Sequence, residues 1–402
     1  MGFSIEKIEL LLLVAAVVSM LARRLRLPYT VGLVVAGVAL AMLPITPKFT
    51  LTKELIFTAF LPPLIFEAAF QMRWKELRRD LSVILTLATL GVLLSVMLVA
   101  TGIHYLVGWE WKTATLLAIL ISATDPISVI ATFKETGIKG RLQMLVEAES
   151  LFNDGTVAVL FGVTLAASNV SGVAPLAIGQ GFFITILGGV ICGAVVSGGV
   201  LLLAGRTEDH LVEITLTSVA AYGSFLLSEH FHLSGVMATL TAGILLGNVG
   251  SLGAISDKGR EEVEAFWEYV GFVANSLVFL LIGLRLTEQP FGAVWKSALI
   301  VILLVLAGRA LAVYGCCALF MRSKVRVAAK HQHILFWGGL RGALALALVL
   351  GLPSDTPHRE AILTITFAVV AFSVVVQGLT ITPLLRKLGE ISTNGKVGDH
   401  GN

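Results

Sequence analysis

The chain carries little charge. Asp, Glu, Lys and Arg together make up 14% of its 402 residues, against about 25% in an ordinary soluble domain. Hydrophobic side chains make up 56%, and the mean hydropathy is +0.90. A soluble chain of this length divides into about two or three domains with polar linkers, and no such linkers are visible. Nor is there an excess of one sign. Twenty-nine basic residues stand against 26 acidic ones, a net charge of +3, which excludes a nucleic-acid partner. The 11 prolines and 40 glycines are spread through apolar runs, so no disordered scaffold is present. Cysteine is scarce too. Cys192, Cys316 and Cys317 lie inside apolar runs without neighbouring ligands, which implies no disulfide framework and reads as small packing residues. What remains is an all-α polytopic membrane protein whose partner is the lipid bilayer.

Long apolar runs are what the sequence has in abundance. A membrane span needs about 20 mostly apolar residues, and thirteen candidates appear: 8–22, 29–45, 55–71, 82–107, 113–133, 142–168, 175–204, 211–229, 234–250, 264–284, 294–320, 332–352 and 360–385. The first is not a cleavable signal peptide. Glu6 and Lys7 precede it, no small-residue cleavage site follows, and the basic cluster Arg23, Arg24 and Arg26 comes next. An odd count places the termini on opposite faces. Counting the odd-to-even connections and the C-terminal tail as one side gives 20 Lys and Arg, against 7 on the other. The remaining two, Arg309 and Arg341, lie deep within runs. The positive-inside rule then puts the tail in the cytoplasm and the N-terminus outside.

Thirteen spans predict two inverted six-span repeats joined by the seventh, an architecture of many secondary transporters. Interruptions should then fall at corresponding positions. Span 5 holds Asp125-Pro126, where proline removes a donor and disturbs the helical ladder. Its counterpart, span 12, holds Trp337-Gly338-Gly339-Leu340-Arg341-Gly342. Broken helices at this depth are tolerated only around a protein-buried site.

Ionisable groups inside such runs cost at least ~2.5–3.5 kcal/mol on insertion scales. Asp125 follows Ser122 and Thr124. A carboxylate beside freed carbonyls makes a hard oxygen site suited to a small cation, although Asp125 also suits capping of the half-helix begun at Pro126. Span 6 contains Glu147-Ala148-Glu149-Ser150-Leu151-Phe152-Asn153-Asp154-Gly155. Ser150 with Asp154, and Glu149 with Asn153, are i,i+4 pairs that form two adjoining polar stripes. Glu147 reads as a solvated helix end. Arg309 needs a buried carboxylate, and Glu149 is its candidate. Arg341 could pair instead, or neutralise a half-helix C-terminus. Glu67 is a further buried acid, just after Pro62 and Pro63.

Four of these runs carry a resemblance. Thr124-Asp125-Pro126, Glu149-Ser150-Leu151-Phe152-Asn153-Asp154-Gly155, Asn275-Ser276-Leu277-Val278-Phe279-Leu280-Leu281-Ile282-Gly283 and Gly338-Gly339-Leu340-Arg341-Gly342 resemble the signatures of the cation:proton antiporter-1 family. That family comprises prokaryotic NhaP-type sodium/proton antiporters and animal sodium/proton exchangers, and the likeness extends over about residues 8–385. It implies a homodimer, with a scaffold of spans 1–3 (residues 1–71) and of spans 7–10 (171–290, span 7 being the linker). The transport core would be spans 4–6 (72–170) and 11–13 (291–386), followed by a short tail (387–402). Carried over by motif, the transported cation (sodium or lithium) would be held by Asp125, Asp154, the Ser150 hydroxyl and the Thr124 backbone carbonyl, with Glu67 reaching it through water. Asn153 and Glu149 would be structural, Glu149 pairing with a core arginine, assigned to Arg309 ahead of Arg341. Pro126, Gly338, Gly339 and Gly342 mark the helix breaks. No cofactor is implied. Many relatives carry a long regulatory tail. Some 17 residues follow span 13 here, so control by a large tail is not expected.

The implied activity is secondary-active antiport of sodium and protons. Burial and a second nearby carboxylate disfavour the charged form of an acid, so cation and proton compete for one site. With Asn153 rather than a second Asp, the resemblance implies electroneutral one-for-one exchange. Potassium/proton exchange is an alternative within the family. A passive cation channel needs the same acids but a continuous polar pore. An intramembrane protease also uses paired aspartates, but no Gly-x-Gly-Asp, Gly-x-Ser-Gly or His-Glu-x-x-His occurs, and no enzyme activity is expected.

Overall fold

The computed structural model describes residues 5–25, 27–43, 52–168, 175–205, 209–249 and 257–391. Arg26, Lys48, Arg206 and Lys396, and most of the expected tail 387–402, lie outside them. Among the described residues the protein is helical, with no strand beyond a one-residue bridge. In chain order the helices are α1 (Ile5–Leu25), α2 (Tyr29–Ala41), α3 (Leu55–Gln71), α4 (Trp74–Val107), α5 (Trp111–Leu120), α6 (Ile127–Thr136), α7 (Arg141–Ser168) and α8 (Pro175–Ala204). They continue as α9 (His210–His230), α10 (Gly235–Val249), α11 (Asp257–Leu286), α12 (Phe291–Leu319), α13 (Ala329–Trp337), α14 (Ala343–Leu350) and α15 (Arg359–Lys387).

Among the described residues, each apolar run coincides with one helix or one interrupted pair. Among the described residues, 7 helices are long and apolar enough to cross a membrane, and five shorter ones are apolar too. Helices α4 and α11 begin several residues before their apolar runs, because a helix needs satisfied backbone, not apolar side chains, where it leaves the bilayer. Pro62 and Pro63 do not break α3. The preceding stretch Leu55–Phe60 is π-helical, and the wider turn accommodates the missing donors.

The chain divides into two compact units. One is drawn from Met1–Thr52, Ser82–Ser150 and Ser276–Asn402, the other from Lys53–Leu81 and Leu151–Asn275. Small residues set the close approaches in the first unit. A Cβ on Gly37 of α2 would come within 2.9 Å of the Gly283 Cα of α11, and one on Gly308 of α12 within 2.8 Å of the Ser95 Oγ of α4. Without a hydrophobic drive between helices in lipid, such backbone proximity provides the packing contacts. In the second unit, Gly243 and Gly247 of α10 lie against Phe66 and Phe70 of α3. Phe66 in turn meets Trp267 of α11, ring centroids 4.6 Å apart. The cysteines are free, and Cys316 and Cys317 are buried in α12.

Candidate functional site

The two interrupted helices of the first unit cross at their breaks. The Asp125 N–H, in the gap between α5 and α6, donates to the Leu340 carbonyl in the gap between α13 and α14, at 2.7 Å. This one-residue antiparallel bridge satisfies two backbone groups that the breaks set free, as buried backbone polar groups require.

Four half-helix ends meet around the crossing. Asp125 Oδ1 accepts from the Ile127 N–H at 2.9 Å, which caps α6 behind Pro126. Gly342 immediately precedes α14, and a Cβ there would collide with Asp125 Oδ2. The carboxylate therefore sits at the N-terminal ends of both α6 and α14, where helix dipoles favour negative charge. The two C-terminal ends each meet an arginine. The Arg341 Nη1 donates to the Ser122 carbonyl at 2.6 Å and the Ala123 carbonyl at 3.0 Å, just beyond α5. The half-helix end it neutralises is thus that of the partner break, not of its own. Arg309 Nη2 donates to the Leu335 carbonyl of α13 at 2.9 Å.

Arg309 also pairs with Glu149. Nη1 lies 2.6 Å from Oε1 and Nη2 lies 2.9 Å from Oε2, a bidentate fork. Of the two membrane arginines, Arg309 is the one that meets Glu149. Gly339 makes room for it, since a Cβ there would come within 2.8 Å of the guanidinium carbon. Thr124, Ser150 and Asn153 are buried. Asp125 Oδ2, Thr124 Oγ1 and Asn153 Oδ1 make no hydrogen bond among the described residues. Buried oxygens of this kind are ordinarily satisfied, and hard oxygens without donors suit a small cation or a proton.

Within the first unit, then, Thr124, Asp125, Pro126, Gly338, Gly339, Arg341 and Gly342 gather at one crossing, with Arg309 joining Glu149 to α13. Ser150 is buried on α7 in the same unit. Glu67, Asn153 and Asp154 belong to the second unit. There Glu67 accepts from Gln71 Nε2 at 2.9 Å and faces Gly271 of α11, whose added Cβ would lie 3.3 Å from Oε2. Asp154 is half-buried on α7, one turn beyond Ser150.

Two residues escaped sequence reasoning. The Arg341 N–H donates to Ser373 Oγ at 2.8 Å, and Gln377 Nε2 donates to the Trp337 carbonyl at 3.1 Å. Both lie in a π-helical stretch of α15, Ser373–Gln377. Polar residues in an otherwise apolar helix were the available signal, but nothing local says which break they serve.

The fold and the site define an integral, multi-pass, all-helical membrane protein organised around two crossed helix breaks. Residues 10–387 match the family described as sodium/hydrogen exchanger, transmembrane. The chain belongs to that family. It is 38% identical over 372 residues to the Na(+)/H(+) antiporter ApNhaP of Aphanothece halophytica, covering 91% of this chain and 70% of that protein. It is 35% identical to the Na(+)/H(+) antiporter NhaH of Halobacillus dabanensis, covering 97% of this chain and 100% of that one. Among solved structures it is similar in fold to the sodium proton antiporter MjNhaP1 of Methanocaldococcus jannaschii at pH 8. The TM-score is 0.75 at 21% identity, over 96% of this chain and 98% of that one.

Proposed function

We propose that the protein is a secondary-active antiporter that exchanges sodium for protons across a membrane. The observation that carries this reading is the crossing itself: one carboxylate, Asp125, at the N-termini of two half-helices, with Oδ2 making no hydrogen bond among the described residues. The antiporter names of relatives at 35% and 38% identity support it.

In this reading the cation is held by Asp125, Asp154, the Ser150 hydroxyl and the Thr124 carbonyl, with Glu67 acting through water. Sodium or a proton occupies the carboxylates, never both. A site loaded with either carries one negative charge fewer than an empty one, and the extra buried charge of the empty site, costing several kcal/mol, opposes its crossing of the apolar barrier. The core therefore reorients only when loaded, and the two fluxes are coupled. A single titrating aspartate on α7, beside Asn153, gives one-for-one electroneutral exchange. Potassium in place of sodium is the second substrate to compare.

The chain has thirteen membrane-crossing segments in this reading, α5–α6 and α13–α14 each counting as one, arranged as two inverted six-segment repeats. The matched positions of the two breaks support it. The N-terminus lies outside and the C-terminus in the cytoplasm, by the 20-to-7 bias of basic residues. Two copies associate through scaffold segments 1–3 and 7–10, leaving segments 4–6 and 11–13 to move.

Reconstitution into proteoliposomes tests the function. An inward sodium gradient should drive proton efflux that saturates with sodium. Flux that rises linearly with sodium and ignores a pH step would favour a channel.

A further inference from the structure

We infer that Ser373 and Gln377 are positioning residues for the cation site, acting through the break between α13 and α14. The inference rests on the antiport reading and deepens it. A break of five residues, Gly338 to Gly342, must find partners for the backbone groups that leave the helical ladder. Gly338 N–H returns to the Ile334 carbonyl at 2.7 Å, and Leu340 N–H reaches the Gly338 carbonyl at 2.8 Å. The Leu340 carbonyl takes the Asp125 N–H. Two further groups of the break, the Trp337 carbonyl and the Arg341 N–H, each find a partner on α15.

The supply is a single directed chain. Arg341 N–H donates to Ser373 Oγ at 2.8 Å, Ser373 O–H donates to Gln377 Oε1 at 2.6 Å, and Gln377 Nε2–H donates to the Trp337 carbonyl at 3.1 Å. Both ends of the Gln377 amide are committed, so the chain closes in only one sense. Ser373 and Gln377 are buried, and i,i+4 spacing across the π-helical turn aims both at the same break. Trp337 adds a second tie, its indole N–H donating to Thr380 Oγ1 at 2.8 Å.

What the chain holds is the segment that holds Asp125. Leu340 accepts the Asp125 N–H, Gly342 abuts Asp125 Oδ2, and the Arg341 guanidinium caps the carbonyls beside Thr124. Releasing the Arg341 N–H from Ser373 frees this strand to shift, and the carboxylate shifts with it. Neither Ser373 nor Gln377 need touch the cation.

The test compares wild type with Ser373→Ala, Ser373→Thr, Gln377→Met and the Ser373→Ala/Gln377→Met double variant in proteoliposomes. Losing one buried hydrogen bond is expected to raise the sodium KM about fivefold at fixed pH, with maximal flux per folded protein less affected. The double variant should match Gln377→Met alone, because members of one chain are not additive, and Ser373→Thr should keep the wild-type KM. A merely structural role would lower yield or thermal stability and leave KM unchanged. Unchanged KM in Ser373→Ala, multiplicative singles, or Ser373→Thr behaving like Ser373→Ala would each overturn the inference. Should Gln377→Met fail to fold, the two Ser373 variants decide it alone. If wild type itself shows no sodium-driven proton flux, the antiport reading fails instead. Stabilisation of the detergent-solubilised protein by added sodium, displaced to higher concentration in Ser373→Ala, then tests the positioning role without transport.

Discussion

Arg309 and Glu149, 160 positions apart in sequence, meet as a bidentate pair in which both side chains are buried. The pair joins α12 to α7, and through the Leu335 carbonyl it also reaches α13. Removing one partner strands the other charge in a buried position. Arg309→Ala or Glu149→Gln should therefore cost about 3–5 kcal/mol, seen as a large fall in the thermal midpoint of the purified protein. Stability unchanged from wild type would mean that the pair does not hold the fold.

Gly342 offers a cleaner probe of the site. Its φ of −146° lies outside the left-handed region that favours glycine, so the main consequence of alanine there is the contact its Cβ makes. The added Cβ would meet Asp125 Oδ2. Gly342→Ala should abolish or strongly reduce sodium-driven proton flux while the protein still reaches the membrane. Gly315→Ala, whose Cβ meets only the Leu311 Cδ1 at 4.0 Å, serves as the control. Wild-type flux in Gly342→Ala would mean that the carboxylate is not held where the crossing puts it.

Glu390, just beyond α15, is held to the start of α13 by charge. Glu390 Oε1 lies 2.7 Å from Lys330 Nζ and 3.4 Å from His331 Nε2. Burial pulls the His331 pKa below the ordinary histidine value, reinforced by Lys330 and Arg141 and opposed by Glu390. A histidine depressed in the folded state takes up a proton more readily when unfolded, so stability falls as pH drops below about 6.5, the unfolded value. His331→Gln should flatten the pH dependence of the thermal midpoint as pH falls below about 6.5. A slope identical to wild type would assign it elsewhere.

One-for-one exchange moves no net charge. Clamping the membrane potential with potassium and valinomycin should leave sodium-driven proton flux unaltered. A flux that scales with the imposed potential would require a second proton per cation and would contradict the role given to Asn153.

Much of this fold was legible because the bilayer imposes a coarse rule on sequence: apolar for about 20 residues, then polar. Among the described residues, the apolar runs fall on helices or interrupted pairs. The breaks were legible as well, since proline at 126 and glycines at 338, 339 and 342 are costly in a helix interior. The limits have equally physical causes. Pro62 and Pro63 disturb a helix by composition, but the helix runs on through them after a π-helical turn, and nothing in local composition announces such a turn. That Arg341 serves the carbonyls of α5 follows from the crossing of two segments over 200 positions apart. Ser373 and Gln377 were illegible for the same reason. A serine and a glutamine in an apolar helix satisfy some backbone, but only the tertiary arrangement says whose.

The account stands most directly on the two aspartates. Asp125→Asn and Asp154→Asn keep side-chain volume and remove the charge for which sodium and protons compete. In proteoliposomes carrying a sodium gradient, with protein amount and thermal midpoint matched to wild type, each should show no sodium-driven proton flux. Saturable exchange retained in either variant would contradict the assignment of that carboxylate to the site.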